Sequence, residues 1–94
     1  MYIGSNLKKF ALKRGIKLWV TKHSNGDEVL NIYHVERDRL LCNFDGYNGK
    51  YLRGKHKLLN EEQFKRVPYT LTNEQELTDF IKWLHKLIVN GEIE

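Results

Sequence analysis

The sequence predicts an α+β domain: a three- to four-stranded antiparallel sheet, flanked by a short N-terminal helix and packed on a long amphipathic C-terminal helix. Three observations predict it. Apolar residues near the C-terminus recur at the helical period, and those of the middle recur at a period of two. The strand-like runs are joined by short turn sequences, with no crossover helices between them, so neighbouring strands run antiparallel. At 94 residues the chain holds one domain, 1–94, because parts of it would be too small to bury a core.

The first helix is short. Ser5 or Asn6 can cap it, Leu7, Phe10 and Ala11 form its apolar stripe, and Gly15 ends it. Lys8, Lys9 and Lys13 point mostly away from that stripe. A helix of about ten residues is marginal alone and must dock on the rest of the chain.

The strands follow. Ile16, Leu18 and Val20 alternate with Lys17, Trp19 and Thr21, as in a half-buried strand. Asn25-Gly26 is a hairpin signal, and Val29 to Val35 is the returning strand. Glu36-Arg37-Asp38-Arg39 reads as a polar turn and Leu40 to Phe44 as a third strand. Asp45-Gly46 and Asn48-Gly49 are two further turn signals, with Tyr51-Leu52-Arg53 a short strand piece before Gly54. In residues 58–71, Asn60-Glu61-Glu62 can open a helical turn, with Phe64 to Leu71 extended around Pro68. The proline keeps any such strand at an edge or a bulge.

The last helix is the best marked, from about residue 73 to 89. Leu77, Phe80, Ile81, Leu84, Leu87 and Ile88 share one face, with Trp83 on its flank. Thr72 or Asn73 can cap it, with Gln75 or Glu76 three residues on. Asn90-Gly91 stops it, since glycine tolerates the left-handed conformation that follows a helix.

Composition narrows the class. The chain is 40% hydrophobic and 30% charged, as folded water-soluble domains are. No apolar run approaches the roughly 20 residues of a membrane span. The first residues lack the basic start and the apolar stretch of about 7–15 residues that mark a secretion signal. One cysteine, Cys42, excludes an internal disulfide and a cysteine-rich metal site. The expected compartment is the cytoplasm.

Net charge is +4, unevenly spread. Residues 1–26 hold Lys8, Lys9, Lys13, Arg14, Lys17 and Lys22 with no acid. Residues 47–57 hold Lys50, Arg53, Lys55 and Lys57 with no acid. Residues 27–46 and 73–94 each carry −3. Positive charge therefore sits in two blocks.

Catalytic and metal motifs are missing. His34-Val35-Glu36 matches half of the zinc-deaminase pattern, but its Pro-Cys-x-x-Cys half is absent. His23, His34, His56 and His85 show no ligand spacing. Cys42 sits in an apolar run and reads as a buried, inert thiol. There is no nucleophile elbow, phosphate-binding glycine loop or dinucleotide fingerprint. No metal and no cofactor is expected, and the chain reads as non-enzymatic. The stretch from Ile3 to Ile16 resembles the first helix of phage-repressor-type helix-turn-helix domains. That family continues with a second and a recognition helix, whereas this chain continues as the strand Lys17-Leu18-Trp19-Val20, so nothing carries over.

The expected site is the two basic blocks: Lys8, Lys9, Lys13 and Arg14 on the first helix, and Lys50, Tyr51, Arg53, Lys55 and Lys57 in a glycine-containing segment. Cations neutralise phosphates, and tyrosines stack on unpaired bases. The expected function is contact with nucleic acid or a nucleoprotein complex. The alternative is an inhibitor or adaptor binding a host protein such as a nucleic-acid enzyme. In size and class the chain is similar to the accessory proteins of phages and mobile elements, including CRISPR-nuclease inhibitors. A small enzyme of unfamiliar type is the third reading. Trp19 and Tyr33 alternate with the aliphatic positions of their strands, and the first helix is expected to cover them. A homodimer can form if the third strand or the segment near Pro68 leaves a sheet edge free.

Overall fold

The computed structural model describes residues 1–93. Five strands form one antiparallel sheet in chain order: β1 (Ile16–Lys22), β2 (Glu28–His34), β3 (Arg39–Tyr47), β4 (Lys50–His56) and β5 (Thr70–Leu71). Among the described residues three helices accompany them: α1 (Ser5–Leu12), α2 (Glu61–Lys65) and α3 (Glu74–Val89).

The sheet has more strands than its sequence suggests, for two local reasons. Asp45-Gly46 is not a turn. It lies inside β3, where Asp45 pairs with Leu52 and Gly46 with Tyr51. Gly46 is there for space, since a Cβ would stand 3.0 Å from the Glu28 carbonyl oxygen on β2. The hairpin turn is Asn48-Gly49, both residues at positive φ (48° and 77°), as a two-residue turn with the strands' own twist requires. Nor does Gly54 end β4, which runs on to His56. Beyond Pro68, Thr70 and Leu71 then add the edge strand β5, paired with Leu52 and Tyr51. The sheet edges are thus β1 and β5, and β3 lies inside.

The helix ends follow ordinary capping chemistry, α1 excepted. Neither Ser5 nor Asn6 caps α1. Ser5 is already helical, and the N-cap is Gly4, with no side-chain bond. In α2, Asn60 Oδ1 accepts from the Gln63 N–H at 2.8 Å and Gln63 Oε1 accepts from the Asn60 N–H at 3.0 Å, a reciprocal box. In α3, Asn73 Oδ1 accepts from the Glu76 N–H at 2.9 Å. Its end is a Schellman turn around Gly91 (φ 69°): Glu92 N–H reaches Leu87 O at 2.9 Å and Gly91 N–H reaches Ile88 O at 3.1 Å. Gln63 Nε2 then donates to Glu92 O at 2.7 Å, tying this turn to α2.

One apolar cluster fills a single face of the sheet. Leu18, Ile32 and Cys42 stand in register across three strands, and Leu30 and Phe44 form the next row. Leu7 and Ala11 of α1 join this cluster, as do Leu77, Phe80, Ile81, Leu84 and Leu87 of α3. Phe44 and Phe80 meet edge to face, with centroids 5.6 Å apart. Both terminal helices therefore lie on the same face, α1 along β1 and beside α3. The expectation that α1 covers Trp19 and Tyr33 fails for that reason: α1 spends its apolar stripe on the face that also needs α3.

Candidate functional site

Among the described residues no helix lies over the second face of the sheet. Strand alternation places Lys17, Trp19 and Thr21 of β1 there, with Val29, Asn31 and Tyr33 of β2 and Asn43, Asp45 and Tyr47 of β3. A register irregularity between Cys42 and Phe44 shifts β4 against β3, and Lys55 comes to lie beside Asn43 and Asp45.

The residues divide into an aromatic half and a polar half. Trp19 is 48% exposed, and its ring lies 5.9 Å from that of Tyr33. Lys17 Nζ stands 5.0 Å from the Trp19 ring centre, a cation over an exposed indole. Beside them, Trp19, Asn31 and Asn43 form one row across β1, β2 and β3. Asn31 Nδ2 donates to Trp19 O and to Thr21 Oγ1, each at 3.1 Å. Asn43 Oδ1 accepts from the Lys55 N–H at 2.7 Å. Both amides are thereby held in fixed orientations, and the groove they line with Asp45 has a volume of about 280 Å³.

Gly54 makes this arrangement possible. A Cβ at that position would collide with Asn43 Oδ1, stand 3.0 Å from Asn43 O and 3.3 Å from Asp45 Oδ2. Its φ is ordinary for any residue; what it supplies is room.

The expected site residues fare unequally. Lys8 and Lys9 are exposed on α1, and Lys13 is exposed at its C-cap. Arg14 is half-buried, its guanidinium 3.6 Å over the Phe10 ring and donating to Phe10 O at 3.0 Å. Lys55 and Lys57 are exposed and Lys50 is half-buried. Tyr51 is only 3% exposed, within the core, so its ring cannot stack on a base. Burial, followed by the neighbouring Glu28 carboxylate, raises its hydroxyl pKa. Arg53 is also committed. It donates to Phe64 O at 3.2 Å and Val67 O at 3.3 Å, with its guanidinium between the Phe64 and Tyr69 rings. It fastens α2 and the approach to β5 onto the sheet.

The two blocks do not share an edge or an element. β2 and β3 separate β1 from β4, which is three inter-strand spacings or roughly 14 Å. The uncovered face carries one cation from each side, Lys17 of β1 and Lys55 of β4, with Trp19, Asn31 and Asn43 between them, whereas α1 packs on the other face. Lys17, Asn31, Asn43 and Asp45 did not stand out as site residues by sequence. The available signal was an asparagine in mid-strand in two successive strands, where that residue type is disfavoured.

The other sequence candidates have structural explanations. His34 is buried at the end of β2, and its Nδ1 accepts from the Arg37 N–H at 3.3 Å, leading into the polar turn. Burial pushes the Cys42 thiol pKa up, away from reactivity. Among the described residues no group of three or more His, Cys, Asp or Glu side chains is placed to hold a metal ion, and no helix is long and apolar enough to cross a membrane.

Fold and surface together define a small antiparallel meander with both terminal helices on one face and an aromatic and polar face left open. No family model, curated protein or solved structure matches the chain.

Proposed function

We propose that the chain is a non-enzymatic module that binds single-stranded nucleic acid across the open face of its sheet. The observation that carries the reading is the exposed Trp19–Tyr33 pair with Lys17 against it. Aromatic rings on a sheet stack on unpaired bases whatever their sequence, and cations beside them neutralise phosphates. Lys17 at one side and Lys55 at the other bracket a strand lying across β1 to β4.

This reading replaces contact through the two basic blocks alone. Tyr51 and Arg53 are used by the fold, and the remaining lysines of β4 are an incomplete block without them. Duplex DNA, whose bases are stacked and paired, would leave Trp19 and Tyr33 without partners. The single cysteine, buried and reduced, supports a cytoplasmic setting.

The test is fluorescence anisotropy of labelled 12-nucleotide single strands at low salt, for the native chain and Trp19→Ala. Stacking is worth about 1–3 kcal/mol per base, so the variant should bind roughly five- to 150-fold more weakly. Its thermal melting should stay close to native, since Trp19 lies outside the core. Failure of the native chain to bind at tens of micromolar overturns the reading. Pull-down of a protein partner that survives nuclease treatment would replace it with the inhibitor or adaptor alternative.

A further inference from the structure

We infer that the free edge of β5 and the flank of α3 form a second binding site, one that takes an extended protein segment carrying a lysine or arginine two residues before an apolar side chain. The site lies apart from the open face and does not depend on the nucleic-acid reading.

The site is a groove of about 470 Å³ whose two walls run in opposite directions. One wall is the chain from Arg66 to Thr72, the other α3 from Glu76 to Trp83. At one end the Arg66 guanidinium lies 5.4 Å from the Trp83 ring centre, and at the other Thr72 N–H donates to Glu76 Oε1 at 2.6 Å. Glu76, Asp79, Phe80 and Trp83 follow the i, i+3, i+4, i+7 spacing, so a single stripe of α3 lines the groove.

The backbone of β5 supplies the docking edge. β5 is the last strand of the sheet and pairs with β4 alone. Arg53 N–H donates to Tyr69 O at 2.8 Å, so residue 69 turns its carbonyl toward β4. By the alternation of an antiparallel ladder, Thr70 turns its N–H and C=O the other way, into the groove it lines. An extended segment running antiparallel to β5 exchanges both bonds with Thr70 through one residue. That residue's side chain lies on the same side of the sheet as Thr70, opposite the buried Leu71. Its two neighbours, about 7 Å apart, therefore point to the side on which α3 packs.

The α3 stripe decides what those two side chains are. The Glu76 and Asp79 carboxylates are exposed at one end. Glu76 spends one oxygen on Thr72 and Asp79 one on Gln75, and among the described residues neither has a cation within ion-pair distance. At the other end Phe80 and Trp83 stack with centroids 5.8 Å apart, and Arg66 already lies against the indole. A cation thus belongs beside the carboxylates and an apolar side chain beside the rings. The two pairs are four residues apart on the helix, roughly 6 Å, which matches the spacing of alternate residues in a strand. An antiparallel segment passes the Glu76 end first, so its basic residue precedes its apolar one. A second copy of β5 fits poorly, because it would bring Tyr69 rather than a cation to the carboxylates, and its Leu71 is held in its own core.

The chain's two tryptophans report on the two sites separately, Trp19 on the open face and Trp83 in the groove. In proton–nitrogen NMR titrations of the labelled chain, the capped peptide Ac-Thr-Lys-Thr-Leu-Thr-NH2 should shift the Trp83 indole and the Thr70 amide and leave the Trp19 indole unmoved. A labelled 12-nucleotide single strand should do the reverse. Replacing the peptide's lysine with glutamate should weaken binding about fivefold, and Asp79→Asn should weaken the lysine peptide about twofold. Asp79 is exposed, so that variant should melt close to native. No shift of Trp83 and Thr70 at millimolar lysine peptide, or equal affinity for the lysine and glutamate peptides, overturns the groove as a site, whatever the single strand does at Trp19. A Thr70 amide that moves with protein concentration in the absence of peptide would assign the edge to a second copy and overturn it too.

Discussion

Gly54 carries a role that its position inside a strand conceals. Glycine in a strand interior weakens it, through entropy and the missing side chain, unless something occupies the space a Cβ would take. Here Asn43 and Asp45 occupy it. In Gly54→Ala the methyl meets a backbone carbonyl oxygen as well as the amide, so rotating the Asn43 side chain away does not relieve it. The expected cost is about 1–3 kcal/mol, the range for an added methyl in a packed site. Urea denaturation should register it as a lower midpoint. Wild-type stability in that variant would show that the strands separate easily there and that the amide is not fixed. At this scale the sequence was readable for the core residues and poorly readable for the site. Leu18, Ile32 and Phe44 announce themselves by period. Asn31 and Asn43 become meaningful only when β2 and β3 are in register, which brings residues twelve apart to face each other.

The elements that carry their own signals are the ones the sequence discloses, and α3 is the clearest. Its apolar face, its asparagine cap and its terminal Asn-Gly are all local, and the helix lies where they put it. The extent of β4 and the existence of β5 are different. Gly54 and Asp45-Gly46 look like breaks until a neighbouring strand fills the space beside them, and the two residues of β5 are a strand only because Tyr51 and Leu52 are there to pair. The start of α3 also makes a pH prediction. Glu76 accepts from the Thr72 hydroxyl and N–H at 2.6 Å each, and these bonds hold its carboxyl below its usual pKa. The folded-state pKa is depressed, so the contribution to stability is present above the unfolded carboxyl pKa and is lost as pH falls through the folded one. Thr72→Val removes the hydroxyl, the first of the two bonds. NMR titration of the Glu76 carboxyl should then move toward the ordinary value, with a smaller loss of stability in acid than the native chain shows. An unmoved titration would mean that the hydroxyl does not bond to Glu76 in solution.

At the scale of the whole molecule, the two faces of the sheet do different work, and the lysines can be sorted by which face they serve. Binding to single strands releases counterions, so log K falls with log salt at a slope of about −0.7 for each phosphate neutralised. If the strand crosses the open face, Lys17 and Lys55 each neutralise a phosphate, and replacing both with alanine should make the slope shallower by about 1.4. Lys57 has the same charge and exposure but lies past the end of β4, where its backbone N–H turns in to Leu41 O. Lys57→Ala should therefore leave the slope nearly as it was. A protein that binds simply because it is basic would respond equally to the loss of any exposed lysine. The two hypotheses differ in pattern rather than in strength, which makes the slope a better reporter than affinity. Equal changes for all three lysines would return the interaction to diffuse charge and remove the sheet face as its location. A steep response to Lys17 and Lys55 with none to Lys57 would trace the path of the strand from β1 to β4, between the rings of Trp19 and Tyr33 and the amide of Asn43.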